Sequence, residues 1–448
     1  MHFEFLWTDK CFLILLSLAL ILTLLSLRKQ QIRRSFSIIL HRPLALSAGI
    51  LLVFFLIIAV LDSIHFDTGS SNANNMTDSL LDKLVAPIGS VYEKTYSAPL
   101  ALKMFVSETL MVNGVMKQTY PRLAYVPATI KTPQDKERVI NDSLLMALGY
   151  CGAVIVLFWL INMSINKLNK KKLIYISPSG FSVFITLSLL IFLIVFSYSL
   201  SRSFHILGTG QIGQDIFYFS LKSIRTGLII GLLTTLFMLP LAVFLGIAAG
   251  YFGGWVDDVI QYIYTTLSSI PGVLLITASV LSLQAYITSH PEQFQTLAKS
   301  ADARLLALCF ILGVTSWTSL CRLLRAETLK LREVDYVMAA KALGSNWFTI
   351  IRKHLLPNVM HIVIITLVLD FSFLVMAEAV LSYVGVGVSP MTISWGNMIN
   401  GARLELARDP LVWWPMFAAF LFMFVLVLAI NLFADAVRDA FDPHQSHV

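Results

Sequence analysis

The chain has 448 residues, of which 57% are hydrophobic and only 13% are charged. Soluble domains contain roughly 45 to 50% apolar residues with glycine included, so this composition excludes an ordinary soluble protein. The formal net charge of +7 comes mainly from basic residues in short segments between apolar runs. This distribution indicates a membrane protein with lipid as a partner, and nucleic acid is not expected as one.

Apolar runs of about 17 to 30 residues recur along the sequence, and each is long enough as a helix to cross an apolar layer of about 30 Å. They predict an all-α fold, a polytopic transmembrane helical bundle of about nine spans. The predicted spans are residues 11–27, 44–61, 143–163, 181–200, 224–250, 256–283, 303–320, 358–384 and 412–434. An odd number of spans places the two termini on opposite sides of the membrane.

Three basic loops predict the orientation, because Lys and Arg in short loops remain on the cytoplasmic side. Segments 28–43 and 164–180 contain basic residues and no acidic ones, and segment 321–357 is basic overall. All three fall on one side if the spans alternate. The N-terminus is therefore expected outside, and the C-terminus with the tail 435–448 is expected in the cytoplasm.

The segment 62–142 is the one long exported stretch that this orientation predicts. It contains an Asn-rich part, SSNANNMTDS, that is typical of a flexible linker, and the rest shows no clear period of helix or strand. We interpret it as a loop or small domain that either contacts an external partner or is a tolerated insertion.

The sequence DYVMAAKALGSNWFTIIRKHLLPN begins at Asp335, within the basic loop 321–357. It predicts a helix, a break and a second helix, in which Asp335 caps the first helix and Ser345 caps the second. Gly344 is predicted to end the first helix in a left-handed conformation. The second helix should carry one apolar face. The residues on that face are Trp347, Phe348, Ile351 and Leu355.

This hairpin fits either a docking site on another protein or the surface of anionic lipid. Ala339 and Ala340 leave room for the backbone of a partner, but the residues alone do not decide between the two. The spacing of the alanine pair, Gly344 and Pro357 resembles the coupling loop of ATP-binding-cassette importer permeases, which engages the ATPase subunit. Met338 stands where that family often has a glutamate, so no charged contact is expected there. The resemblance assigns ATPase coupling to Ala339, Ala340, Gly344, Trp347, Leu355 and Pro357.

Other segments are similar to the second permease type, the C-type subunit, of the dipeptide, oligopeptide and nickel importers. They are HRPLALSAGILLVFF at 41–55, ILGTGQIGQDIF at 206–217, GYFGGWVDDVI at 250–260, AEAVLSYVGVGVSPMTISWGNMI at 377–399 and DAVRDAFDPH at 435–444. Gly210 stands where the family commonly has an aspartate. The structural role of that acid is therefore lost or falls to Asp215.

The resemblance also divides the chain, because that family has six core spans. Residues 44–61 correspond to the first core span and residues 206–434 to the rest of the permease core. Three spans are therefore extra. One lies in residues 1–43, and an inserted pair lies in residues 143–205.

The resemblance implies a permease subunit of an ATP-driven importer for di- or oligopeptides in a bacterial inner membrane, with no catalytic residue of its own. Its implied partners are a second permease subunit in a heterodimer, two ATP-binding-cassette ATPase subunits and an extracytoplasmic substrate-binding protein. The chain contains no G-x-x-x-x-G-K-[ST], so ATP and Mg are expected on the ATPase subunits. No cofactor is expected on this chain, and its scattered histidines predict no metal site.

Asp370 and Glu378 are acidic residues within a predicted span. A carboxylate at the centre of a bilayer costs about 2.5 to 3.5 kcal/mol, so each should face a cavity or a partner. They lie eight residues apart, on roughly one face of a helix. They either line the translocation pathway and attract the amino terminus of a peptide, or hydrogen-bond to a neighbouring helix.

Two other functions fit the sequence. An ion-coupled secondary transporter would use Asp370 and Glu378 as proton sites, although such carriers often show internal repeats and none is evident. A non-transporting membrane scaffold would recruit an ATPase through the extra spans and the exported loop. Substrate uptake and its energy source distinguish these functions.

Overall fold

The computed structural model describes residues 2–3, 6–26, 28, 30–67, 78–89, 91–112, 115–169, 178–290 and 296–441. Most of the predicted flexible linker, the lysines at 170–172 and the end of the tail at 442–448 lie outside the described residues.

Nine helical segments among the described residues are long and apolar enough to cross a membrane, which confirms the prediction of an all-α membrane protein with nine spans. The helices are α1 (Trp7–Ser26), α2 (Gln30–His41), α3 (Pro43–Asp62), α4 (Leu80–Leu84), α5 (Ala86–Gly89), α6 (Pro133–Asn169), α7 (Pro178–Ser201), α8 (Ile216–Phe252), α9 (Gly254–Ser269), α10 (Gly272–Ser289), α11 (Leu297–Arg332), α12 (Asp335–Ala342), α13 (Trp347–Ile350), α14 (Leu356–Tyr383), α15 (Trp395–Ala402) and α16 (Trp414–Phe441). A π-helical turn (Ile351–Leu355) joins α13 to α14, and a 3₁₀ turn (Glu405–Ala407) follows α15.

One predicted span is wrong in its extent. The prediction of a single helix over 256–283 fails because α9 ends at Ser269 and α10 begins at Gly272. Pro271 has no N–H and disfavours helical geometry in the preceding residue, and Ile270 is accordingly extended, with φ −86° and ψ 130°. Only α10 of this pair is long and apolar enough to be a candidate span.

The segment 62–142, for which the sequence predicted no regular structure, contains short strands. β1 (His2–Phe3) pairs antiparallel with β2 (His65–Asp67), and β2 pairs antiparallel with β3 (Asp78–Ser79). A separate hairpin consists of β4 (Glu108–Val112) and β5 (Val115–Thr119). The β1–β2 pairing places the start of the chain on the same side of the bundle as segment 62–142, and we call this side the outer end.

The core of the bundle is built on close packing of α8 against α11. On α8, Gly246 and Gly250 face α11, and a Cβ at these positions would lie 2.8 Å from the Cβ of Leu324 and 2.6 Å from the Cβ of Thr328. Only glycine allows the two backbones to approach this closely. The G-x-x-x-G spacing of Gly246 and Gly250 is a known signal for helix contact in membranes.

The inserted pair α6 and α7 is an antiparallel hairpin that packs on the first core span, α3. The hydroxyl of Thr186 on α7 donates to Ser47 on α3 over 2.8 Å, and Ser182 lies 2.6 Å from the same Ser47 oxygen. Within the pair, Ser143 and Ser199 are hydrogen-bonded over 2.8 Å. Hydroxyl pairs of this kind hold helices together where water is absent.

The extra helix α1 is attached to the core by buried polar groups at the outer end. Asp9 is fully buried and accepts a hydrogen bond of 3.0 Å from Nε of Arg225 on α8. The other carboxylate oxygen of Asp9 lies 3.2 Å from Nδ1 of His65. The backbone N–H of Thr8 donates to Asp302 on α11 over 3.2 Å. Helix α1 therefore contacts both α8 and α11.

Candidate functional site

The segment between α11 and α14 forms a helical hairpin at the end of the bundle opposite the outer end, and we call it the coupling hairpin (residues 335–357). Gly344 has φ +77°, in the left-handed region that the sequence predicted. The N–H of Gly344 donates to Lys341 O over 3.0 Å, and the N–H of Ser345 donates to Ala340 O over 3.1 Å. This pair of bonds is a Schellman motif, which satisfies the last carbonyls of α12 and stops the helix.

The predicted caps are wrong by one residue. Val334 is the cap of α12 and Asp335 is its first residue, while Asn346 rather than Ser345 precedes α13. The side chain of Asn346 makes no capping hydrogen bond.

The predicted apolar face of the second helix is also wrong. Leu355 is fully buried, but Trp347 and Phe348 are more than half exposed and Ile351 is only partly buried. The cause is the π-helical turn at Ile351–Leu355, which adds a residue per turn and changes which side chains point to the core. The sequence contained no signal for this turn.

The base of the coupling hairpin is fixed to the bundle. Val337 and Ile350 are buried in a cluster that includes Trp317 and Leu324 of α11. The side-chain amide of Asn358 donates to the hydroxyl of Tyr336 over 2.8 Å, which joins α12 to α14. A displacement of the hairpin would therefore be transmitted to α11 and α14.

The tip of the coupling hairpin is open and apolar. Leu343 is 86% exposed, the residues from Lys341 to Phe348 are all exposed, and a Cβ on Gly344 would meet no atom within 4 Å. Ala339 is exposed as well, and Ala340 is partly buried. Pro357 is exposed in the first turn of α14. Leu343 was not singled out from the sequence, although its position beside Gly344 at a turn is the signal that marks it.

Glu378 on α14 is 3% exposed and points to the outer end of the bundle. Its Oε1 accepts hydrogen bonds from Ser382 over 2.7 Å and from Ser394 over 2.9 Å. Ser394 is the N-cap residue of α15 and accepts from the N–H of Asn397. Glu378 thus bonds to a neighbouring helix in this conformation, as one of its two predicted roles requires.

Asp370 lies two turns earlier on α14, about 12 Å along the helix at 1.5 Å per residue. It is partly buried, and no hydrogen bond or ion pair involves its side chain among the described residues. The structure does not bring Asp370 and Glu378 to a common partner. Two cavities of about 110 and 250 Å³ lie at the outer end, and neither is lined by Asp370 or Glu378.

The glycine-rich segment 206–217 lies against segment 62–142, which we call the outer segment. The N–H of Thr209 donates to Ser97 O over 3.0 Å. Asp215 caps α8 by accepting from the N–H of Tyr218 over 2.9 Å. Asp215 therefore has a structural role in this chain, which includes a second bond, to His205.

His205 is a fully buried residue that sequence reasoning missed, and it joins the two segments. Its Nδ1 lies 2.6 Å from Asp215 and its Nε2 lies 3.7 Å from Glu93 of the outer segment. The ring of Tyr125 stacks on the imidazole at a centroid distance of 4.6 Å. Burial alone would lower the pKa of His205, but the hydrogen bond to Asp215 and the nearby negative charge of Glu93 outweigh burial and raise this pKa to about 9.

We expect attachment of the outer segment to weaken at alkaline pH. The pKa of His205 is about 9 in the folded chain and about 6.5 in an unfolded one. Its stabilisation is complete below pH 6.5 and is lost as pH rises through about 9, an effect of about 3 kcal/mol. Hydrogen-exchange protection factors at residues 93–98, which are corrected for the base-catalysed intrinsic rate, should fall between pH 7 and 10 and show this loss. A His205→Gln variant should show no such pH dependence. An equal pH dependence of protection in both proteins would contradict the proposed role of His205 in holding the outer segment.

The fold and the site together define a polytopic helical membrane protein whose long core helices support a hairpin at one end. A family model described as binding-protein-dependent transport system inner membrane component matches residues 242–447. This match covers α9 to α16 completely and includes the whole coupling hairpin.

Curated relatives extend this match. The chain is 32% identical over 242 residues to a dipeptide transport system permease protein of Lactococcus lactis, covering 54% of this chain and 64% of that protein. It is 32% identical to a glutathione transport system permease protein of Pectobacterium atrosepticum, covering 54% of this chain and 73% of the relative. The chain is also 30% identical to an oligopeptide transport system permease protein of Mycobacterium tuberculosis, covering 53% of this chain and 76% of that protein. The chain belongs to the family of inner membrane components of binding-protein-dependent transport systems.

Proposed function

We propose that this chain is the permease subunit of an ATP-driven importer for di- or oligopeptides. The observation that carries the proposal is the coupling hairpin, whose exposed apolar tip is supported by a buried base on α11 and α14. The relatives named as dipeptide, oligopeptide and glutathione permeases support a peptide substrate.

The proposed complex contains a second permease subunit, two ATP-binding-cassette ATPase subunits and an extracytoplasmic substrate-binding protein. The hairpin end faces the cytoplasm, and the outer end is exported in a bacterial inner membrane, with the N-terminus outside. ATP and Mg are held by the ATPase subunits, so this chain has no catalytic residue and no cofactor. Basic residues at the hairpin end support this orientation.

In the proposed mechanism, closure of the ATPase subunits pushes on the exposed tip. The Schellman turn at Gly344 fixes the direction of the tip, and the buried contacts of Val337 and Ile350 transmit the displacement to α11. Because α8 packs on α11 through Gly246 and Gly250, the two helices move together. A passage between the core helices then opens toward the outer end to receive substrate. ATP hydrolysis returns the core helices to the state in which this passage opens toward the hairpin end.

The experiment that tests this function is peptide uptake into vesicles that contain the assembled transporter. We expect uptake that requires ATP on the side of the membrane where the coupling hairpin lies. This uptake should persist when proton and sodium gradients are abolished. Uptake driven by an ion gradient without ATP would instead support the secondary transporter. ATPase attachment without uptake of any peptide would support the scaffold.

The Asp370 carboxylate is proposed to line the translocation pathway, because it is partly buried without a described partner. Asp370→Asn should lower the uptake rate about tenfold at unchanged assembly with the ATPase subunits. The comparison variant is Glu378→Gln, which changes hydrogen bonds to Ser382 and Ser394 and is expected to lower the thermal stability of the chain instead. An unchanged uptake rate in Asp370→Asn would remove Asp370 from the pathway.

A further inference from the structure

Helix α2 is a short amphipathic helix at the hairpin end of the bundle. It lies between α1 and α3, which are both candidate spans, and only a few residues separate it from either. Its sequence, QQIRRSFSIILH, contains two arginines and no acidic residue. Arg28 precedes it and Arg42 follows it. An amphipathic helix with basic residues and no acidic ones suits the membrane interface.

One side of α2 packs on the protein. Ile39 is 6% exposed and forms a cluster with Ala45 of α3 and Ala436 of α16. Arg42 forms an ion pair with Asp439 near the end of α16. This side is therefore occupied by the hairpin end of the bundle.

The other side of α2 is open. Leu40 is 55% exposed and lies on the face that points away from Ile39, together with Arg33 seven residues earlier, whereas Ile38 is 46% exposed at the edge of this face. Arg28 and Arg33 are exposed as well. Apolar side chains next to cations suit the boundary between acyl chains and headgroups, where the apolar groups enter the lipid and the cations meet phosphates.

We propose that this open side binds anionic phospholipid headgroups of the membrane, with Arg28 and Arg33 at the phosphates and Leu40 among the acyl chains. The charge of the segment supports this occupant, because residues 27–42 contain basic residues and no acidic one. The position supports it too, since the spans on both sides keep α2 next to lipid.

The bound lipid also acts on the transport machinery, and this part rests on the proposed function. Ile364 of α14 packs against the cluster that contains Ile39. Helix α14 begins at Leu356, within the last residues of the coupling hairpin. Lipid that fixes α2 therefore stiffens the base of α14, so uptake depends on the anionic lipid content of the membrane.

The binding is tested on the full chain in neutral detergent by native mass spectrometry, with phosphatidylglycerol and phosphatidylcholine as probes. The variant R28Q/R33Q should bind phosphatidylglycerol about tenfold more weakly and phosphatidylcholine unchanged, because each basic residue near an anionic surface contributes on the order of a few-fold. R28K/R33K should bind like wild type. The matched control K117Q/K131Q loses the same charge from exposed positions at the outer end. Wild-type binding by R28Q/R33Q, or equal weakening in the control, would overturn the proposal.

The second measurement is ATP-driven uptake by the assembled transporter in phosphatidylcholine with and without phosphatidylglycerol. Wild type should differ several-fold between the two membranes, and R28Q/R33Q should not. If ATPase subunits detach from R28Q/R33Q in both membranes, the open side is a protein contact and the lipid proposal is wrong. The binding measurement needs no transport, so it stands whether or not the proposed function does.

Discussion

Gly344→Val is expected to reduce both ATPase attachment and ATP-driven uptake by about tenfold. The cause is the backbone, because φ is +77° and a Cβ would meet no atom within 4 Å. A β-branched residue in the left-handed region costs about 1 to 3 kcal/mol, and about 1.4 kcal/mol corresponds to a factor of ten. The Schellman turn should therefore open, and the direction of the tip should change.

Two matched variants separate this effect from others. Asparagine tolerates the left-handed region, so Gly344→Asn should retain most attachment and uptake. Gly152 on α6 also has open space around its Cβ, and its φ is not positive. Gly152→Val should therefore behave like wild type. Co-purification of the ATPase subunits and uptake into vesicles measure the two effects, and normal attachment in Gly344→Val would refute the coupling role of the turn.

The second large effect is expected at Asp9, where Asp9→Ala should destabilise the chain by about 3 to 5 kcal/mol. The substitution leaves Arg225 buried without its carboxylate, and an unpaired buried charge is costly. It also removes the carboxylate next to His65. Thermal unfolding of the chain in detergent should show the loss.

A double variant tests the origin of that loss. Asp9→Leu combined with Arg225→Met removes both charges and keeps apolar volume, so it should recover much of the stability that Asp9→Leu alone loses. If the double variant is as unstable as the sum of the two single variants, the two residues do not interact. The attachment of α1 to α8 would then depend on other contacts.

The spans were predictable because each is a continuous apolar run, and Gly344 was predictable because a glycine after a short helical pattern is a local signal. The break between α9 and α10 was also present in the sequence, at Pro271. The prediction of one span over 256–283 gave hydropathy more weight than this proline. The features that could be predicted therefore depend mostly on residues that are close together in the sequence.

What the sequence could not predict depends on distant residues. β1 has two residues, and its partner β2 lies some sixty residues later. Strands this short cannot show the alternation of apolar and polar residues that predicts a strand. Asp9 and Arg225 are 216 positions apart, and each alone resembles a charge at the end of a span. The π-helical turn at Ile351–Leu355 changes the buried face without any change in composition. Only packing in three dimensions determines such features.

The length of α8 and α11 has a mechanical consequence. With 37 and 36 residues, each is about 54 Å long, and the apolar layer is only about 30 Å thick. The pair therefore forms a long strut that protrudes from the bilayer. If this strut pivots near its middle, a tilt of about 10° displaces each end by roughly 5 Å, given the rise of about 1.5 Å per residue. A modest push at one end thus becomes a shift as wide as a side chain at the other.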